Sequence, residues 1–107
     1  MNKFPDFIED IFQEVEGDNK NHDVSVFSLS TCQWCKRAKV FLGDRGIKYR
    51  YIDLDRIDIS EKSKILQFIR ETYKPERISY PVVICDDDIV VGYNPNKYEE
   101  LLKLGGN

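Results

Sequence analysis

The sequence is short of the features that would declare a function by themselves. Its 107 residues hold one histidine, one tryptophan, one methionine and three cysteines. Three is an odd and small number for a disulfide scaffold, so a catalytic or metal-binding pair with one spare thiol fits better. Positive charge is not in excess, with 16 Lys and Arg against 19 Asp and Glu for a net of -3. That balance argues against a phosphate-neutralising surface and hence against a nucleic-acid partner. No uncharged run approaches the roughly 20 residues that cross a bilayer, so no membrane role is expected. The N-terminus sets Asp6, Glu9 and Asp10 among its apolar residues and lacks the basic-then-apolar order of a signal peptide. Repeats and low-complexity segments are also missing. These absences point to a cytoplasmic protein in a reducing compartment.

What is present suits one modest core, with 41% apolar residues in a chain of single-domain length. Charge is unevenly spread: residues 1–23 carry seven acidic and two basic side chains, and residues 24–107 carry twelve acidic and fourteen basic. The leader stands at -5 and the remainder at +2. This divides the chain into an extension over 1–22 and a domain over 23–107.

Phe4, Phe7, Ile8, Ile11, Phe12 and Val15 recur at helical spacing, which predicts an amphipathic helix over 5–16 and a loop over 17–21. A strand follows from Val24 to Leu29. It stops at Ser30-Thr31, where a helix starts with Cys32 near its N-cap and ends at Gly43 or Gly46. Ile47 to Leu54 reads as a second strand. Asp58 and Glu61 have capping-box spacing ahead of a helix that would bury Ile65, Phe68, Ile69 and Thr72. Pro81 to Cys85 and Ile89 to Val91 form a hairpin around Asp86-Asp87-Asp88. Asn94-Pro95 then opens a last helix reaching Leu104. The order gives an α/β fold: one mixed four-stranded sheet, parallel in its first pair and antiparallel in its hairpin, flanked by helices, with the amphipathic leader helix added.

Cys32-Gln33-Trp34-Cys35 carries the chemistry. Residues three apart on a first helical turn have Cα atoms about 5 Å apart, within the reach of a disulfide. Cys32 at the helix start would meet unpaired backbone N–H groups and the positive end of the helix dipole, both of which favour a thiolate. Lys36, Arg37 and Lys39 add positive potential, although they also suit a solvated helix face. Cys35, one turn inward, would then act second, attacking a mixed disulfide formed on Cys32. Trp34 lies where it can rim an incoming disulfide or pack against the domain. Zinc remains a competing use, but a closed site needs about four ligands and only Cys85 and His22 are left to complete it. Two inert buried thiols are the third reading.

Tyr80-Pro81 is the second informative feature. A proline opening a strand donates no hydrogen bond, and the dipeptide by itself suits a trans proline at a strand edge as well as the cis bond that a preceding aromatic residue promotes. A cis bond would leave the backbone of Tyr80 free to pair with an extended substrate segment.

Four stretches in register, CQWCKRAK, YRYIDLD, YPVVI and VGYNPNKYEELL, resemble the active site, second strand, cis-proline strand and final turn of the glutaredoxin branch of the thioredoxin superfamily. The resemblance spans about Val24 to Leu104. It implies a thioredoxin fold, a cis Pro81 and a dithiol pair with Cys32 as nucleophile and Cys35 as resolving thiol. It further implies substrate contacts at Trp34, Tyr80, Pro81, Gly92 and Tyr93, with Lys36 and Arg37 stabilising the thiolate. Glutaredoxins proper take electrons from glutathione, an anion that needs cationic and backbone donors. Here the family's lysine before the first cysteine is Leu29, its Gly-Gly turn is Val91-Gly92, and its acidic residue after that turn is Asn94. Gly92-Tyr93-Asn94-Pro95-Asn96 is more similar to the Gly-Phe-Arg-Pro-Asp turn of NrdH-type redoxins, with Asn94 in place of the arginine. Those redoxins are reduced by a flavin disulfide reductase of the thioredoxin reductase type, and they reduce ribonucleotide reductase.

The expected protein is thus a monomeric dithiol oxidoreductase acting on protein disulfides without cofactor or metal. A glutathione-dependent glutaredoxin is the alternative within the same chemistry, and an iron–sulfur cluster carrier the alternative outside it. His22 is expected in the loop before the first strand, Asp86-Asp87-Asp88 at a solvated hairpin tip, and Cys85 as a packing thiol.

Overall fold

Two strands are made up of buried residues alone, and they set the architecture. Val24–Ser28 (β2) and Val82–Cys85 (β4) are buried along their whole length, as strands must be when both faces of a sheet are covered. The computed structural model describes residues 4–103. It places β2 and β4 side by side, antiparallel, in the middle of a five-stranded sheet of order β1-β3-β2-β4-β5, in which β1 is Gln13–Val15. Tyr49–Asp53 (β3) runs parallel to β2, and Asp88–Val91 (β5) closes an antiparallel hairpin with β4. Helices Gln33–Asp44 (α2), Ile59–Tyr73 (α3) and Pro95–Leu102 (α4) cover the faces.

Because alternate residues of a strand face opposite ways, each central strand feeds two cores. Val24, Val26, Val83 and Cys85 join Ala38, Phe41 and Leu42 of α2 and Tyr98 and Leu102 of α4. Phe27, Val82 and Ile84 face the other way, onto Ile65 and Ile69 of α3 and onto Phe4 and Ile8 of the leader. The predicted order of strands and helices after residue 23 is the observed one. On α3, Phe68 is half-buried and lies 5.5 Å from the Phe4 ring. Thr72, expected on the buried face, is exposed, and Asp58 occupies the N-cap without a side-chain hydrogen bond. Asn94 does cap α4, accepting the Lys97 N–H at 3.1 Å. Leu104, the expected end of that helix, lies outside the described residues.

The leader departs from expectation. Its helix is one turn, Asp6–Glu9 (α1), and Gln13–Val15 (β1) forms a fifth strand antiparallel to β3. Helical spacing misled because Phe4 and Ile8, one turn apart, do share a face, whereas the residues beyond them meet a different demand. Without β1, the outer edge of β3 would stand unpaired, an open template for association. Two acids of the leader find cations on or just before that strand: Glu9 forms a two-pronged pair with Arg50, and Glu14 lies 3.8 Å from Lys48. The Arg50 guanidinium also lies over Phe12, 4.1 Å from the ring centre, and donates to the buried Ser25 hydroxyl. Gly17 lets the loop after β1 lie against the turn before β3, since a Cβ there would stand 2.5 Å from the Gly46 carbonyl oxygen.

Ile8 is fully buried, so Ile8→Ala is expected to lower unfolding stability by about 2 to 5 kcal/mol, the usual range for emptying a core position. Urea denaturation measures this. An unchanged midpoint would show that the leader does not contribute to the core.

Candidate active site

The site forms where β2 ends and α2 begins. The Cys32 N–H donates to the Leu29 carbonyl at 3.1 Å, closing the turn that delivers Cys32 to the N-cap of α2. Ser30 holds this loop from below, its N–H and hydroxyl both donating to the Asp55 carboxylate. Those hydrogen bonds keep Asp55 below the usual carboxylate range. As the cap, Cys32 Sγ accepts the Cys35 N–H at 3.2 Å, a task usually given to serine, threonine or aspartate. The pair is therefore linked through the backbone of the helix it starts.

The two sulfurs differ in their surroundings. Cys32 is partly exposed, while Cys35 is only 1% exposed. Burial, together with the hydrogen bond to Cys32, pushes the Cys35 thiol up to about 12. The Leu29 N–H, 3.5 Å from Cys35 Sγ, and the charge of Lys39 act in the opposite direction. Lys39 is one helical turn beyond Cys35 and is fixed there: its ammonium lies 3.1 Å from Asp53 and 3.9 Å from the centre of the Tyr51 ring. Asp53 also accepts the buried Ser28 hydroxyl at 2.6 Å. Sequence reading noted Lys39 but missed Ser28 and Asp53. Only the β2–β3 register, which pairs Ser28 with Asp53, brings them together.

The Tyr80-Pro81 bond is cis, as expected. The Tyr80 carbonyl oxygen lies 3.9 Å from Cys32 Sγ, and Pro81 is buried beneath. Gly92 takes φ +91, a conformation that favours glycine, and its N–H donates to the Pro81 carbonyl at 2.7 Å. This brings the Gly92-Tyr93 turn beside the proline. The buried Tyr98 hydroxyl donates to the Gly92 carbonyl at 2.8 Å, and Tyr98 meets both Tyr93 and Phe41 edge to face. Tyr98 was not singled out from sequence, where it reads as one more apolar residue of α4. Trp34 is 53% exposed and stacks on Tyr93 with ring centres 5.8 Å apart. The Arg37 guanidinium lies 4.9 Å from the centre of the Trp34 ring. Lys36 is exposed, and its backbone N–H donates to the Cys32 carbonyl.

Cys32, Cys35, Tyr80 and Pro81 thus meet at one point, with Trp34, Gly92 and Tyr93 along one side. The remaining candidates lie elsewhere. His22 sits in the loop before β2 with Nδ1 2.7 Å from Asp86, which also accepts the Asp23 N–H. Asp86 is thus tied to that loop, whereas Asp87 and Asp88 are exposed. Cys85 is buried in the sheet, and burial pushes its thiol up to about 12 as well. Among the described residues, no three or more His, Cys, Asp or Glu side chains stand together as a metal site. None of the described helices is long and apolar enough to cross a membrane.

The glutaredoxin family model matches residues 24–90, a span that contains both cysteines and the cis-proline strand. The chain belongs to the glutaredoxin family. Among solved structures it is similar to the glutaredoxin of Methanosarcina mazei Go1, at 30% identity and TM-score 0.73 over 85% of this chain and 86% of that one. It is also similar to the methanoredoxin of Methanosarcina acetivorans, at 30% identity and TM-score 0.70 over 80% and 88%. A glutaredoxin-like 8.6 kDa protein from the rubredoxin operon of Clostridium pasteurianum is 28% identical over 75% of this chain and 97% of its own. This glutaredoxin-family member is a redox protein whose Cys32 and Cys35 stand one helical turn apart.

Since Cys35 and Cys85 are buried and their thiols raised, iodoacetamide at pH 7 to 8 should modify the reduced native protein once, at Cys32. Both raised thiols also favour the folded state below the unfolded value of about 9. That contribution should fade as pH rises from about 9 to 12, where the unfolded chain ionises first. Intact-mass analysis of alkylation and a stability series in pH check the two halves. Equal labelling of Cys35 or Cys85 in native protein would contradict the assignment.

Proposed function

We propose that this protein is a dithiol redoxin that reduces disulfides in other proteins. The observation carrying this reading is the placement of a partly exposed Cys32 Sγ beside the Tyr80 carbonyl, with Cys35 buried one turn behind it. In the first step Cys32, as thiolate, attacks one sulfur of the substrate disulfide. The substrate S–S bond breaks, an S–S bond to Cys32 forms, and the displaced sulfur leaves as a thiolate that takes up a proton. Cys35 then loses its proton and attacks Cys32 Sγ. The mixed disulfide breaks, the Cys32–Cys35 disulfide forms, and the second substrate sulfur leaves reduced. Two electrons pass from the protein dithiol to the substrate. Trp34, Tyr80, Pro81, Gly92 and Tyr93 form the substrate contacts, and Lys36 and Arg37 support the thiolate with their charge.

The electron donor is a flavin disulfide reductase of the thioredoxin reductase type, as for NrdH-type redoxins, and ribonucleotide reductase is one acceptor of the matching kind. Two positions support this over glutathione. Leu29, where a glutathione-using relative carries lysine, packs against the core around α3. Asn94, where it carries an acid, is engaged as the cap of α4. The reading places the protein in the cytoplasm as a monomer.

Oxidised protein offered a thioredoxin reductase with NADPH should be reduced at least about tenfold faster than by millimolar glutathione, followed by alkylation and mass. Faster reduction by glutathione would make the protein a glutathione-dependent glutaredoxin.

A further inference from the structure

Two concave regions accompany the described fold. One, of about 240 Å³, lies at the opposite end of the sheet from the cysteines, and most of its side-chain nitrogens are already engaged: Lys48 with Glu14, Arg50 with Glu9 and His22 with Asp86. The other, a groove of about 520 Å³ between α2 and α4, adjoins the redox pair and is less satisfied. Its far end is acidic on balance, since Arg45 pairs with Glu99 at 3.2 Å and lies over Phe41, and Asp44 lines the groove beside them. Its near end holds Lys36 and Arg37, both exposed and, among the described residues, without a carboxylate partner. Between the ends stands Val40, 59% exposed, and with Trp34 it supplies two of the three large apolar side chains exposed among the described residues. The groove therefore presents uncompensated positive charge next to the cysteines and an unburied apolar surface beyond it.

We propose that this groove docks a segment of the substrate protein that flanks the disulfide and carries a carboxylate followed by a large apolar side chain. The proposal rests on the dithiol reading above and deepens it. Lys36 lies one helical turn, about 5.4 Å along the axis, beyond Cys32. An extended chain advances about 3.3 Å per residue, so the carboxylate belongs about two or three residues from the substrate cysteine. The apolar side chain, on Val40 and Tyr93, follows within the next two. Charge complementarity selects the occupant: the acid meets Lys36 and Arg37, and a basic segment there is repelled.

The test uses the pre-reduced full chain in single turnover with two disulfide peptides, identical except that one has Asp and the other Lys two residues from the cysteine, each followed by Phe. Transfer is read by alkylation and mass. The Asp peptide should react about tenfold faster at low salt, the sum of two exposed charge pairs gained against two repelled. That ratio should shrink in 0.5 M salt. In Lys36→Glu/Arg37→Glu the ratio should invert, a readout insensitive to any general loss of rate, and Val40→Asp should weaken the preference for Phe over Ser at the apolar position. Equal rates for both peptides, with or without salt, would overturn the docking proposal and leave the dithiol reading standing. A folded protein with an unmodified Cys32 thiol, shown by a parallel sample to be open to alkylation, yet reducing neither peptide would overturn the dithiol reading itself. Equal rates with a molecular mass that doubles with concentration, lost in Val40→Asp, would instead give the groove to a second copy of this chain.

Discussion

The site depends on an unequal sharing of water between two sulfurs one helical turn apart. Cys32 caps α2 at the surface, and Cys35 is enclosed by the sheet behind it. A single backbone N–H, from Cys35 to Cys32 Sγ, spans the boundary. Burial keeps the inner thiol protonated, so in the proposed reaction the outer one meets the incoming disulfide alone. On that reading the inequality gives a symmetric-looking Cys-x-x-Cys an order of action. Ser30 and Asp55 tie down the approach to Cys32, while Lys39, braced by Asp53 and Ser28, brings a positive charge that acts on Cys35 against its burial.

The five-stranded sheet is the platform for this arrangement. Its two central strands are buried on both faces, so the ends of β2 and β4 are held in fixed register, and the catalytic turn and the Tyr80-Pro81 bond project from that same end. Gly92 and Tyr98 then fasten the final turn to the proline strand. The leader works at the other margin. It lends Phe4 and Ile8 to the core around α3 and β1 to the free edge of β3, and its acidic excess is drawn toward Arg50 and Lys48.

Legibility in the sequence followed the range of the interactions. The start of α2, the Asn94 cap and the hairpin at Asp86 are written in neighbouring residues, and the chain could be read for them directly. The leader was misread because Phe4, Ile8 and Phe12 satisfy a helical period, although what decides residues 13–15 is an unpaired strand edge more than thirty residues away in sequence. Thr72 was assigned to a buried face by spacing alone, yet it is Tyr73, the next residue, that packs against the core around α3. Ser28, Asp53 and Tyr98 carried no local signal. Their roles arise from strand register and from a hydroxyl reaching the Gly92 carbonyl, both products of tertiary structure.

The central claim is that one sulfur attacks and the other resolves. The most direct measurement combines Cys35→Ser with a disulfide substrate and maps the trapped adduct by mass spectrometry. The account predicts a stable mixed disulfide on Cys32 alone, absent from Cys32→Ser. An adduct on Cys85, or undiminished reduction of the substrate by Cys32→Ser, would contradict it.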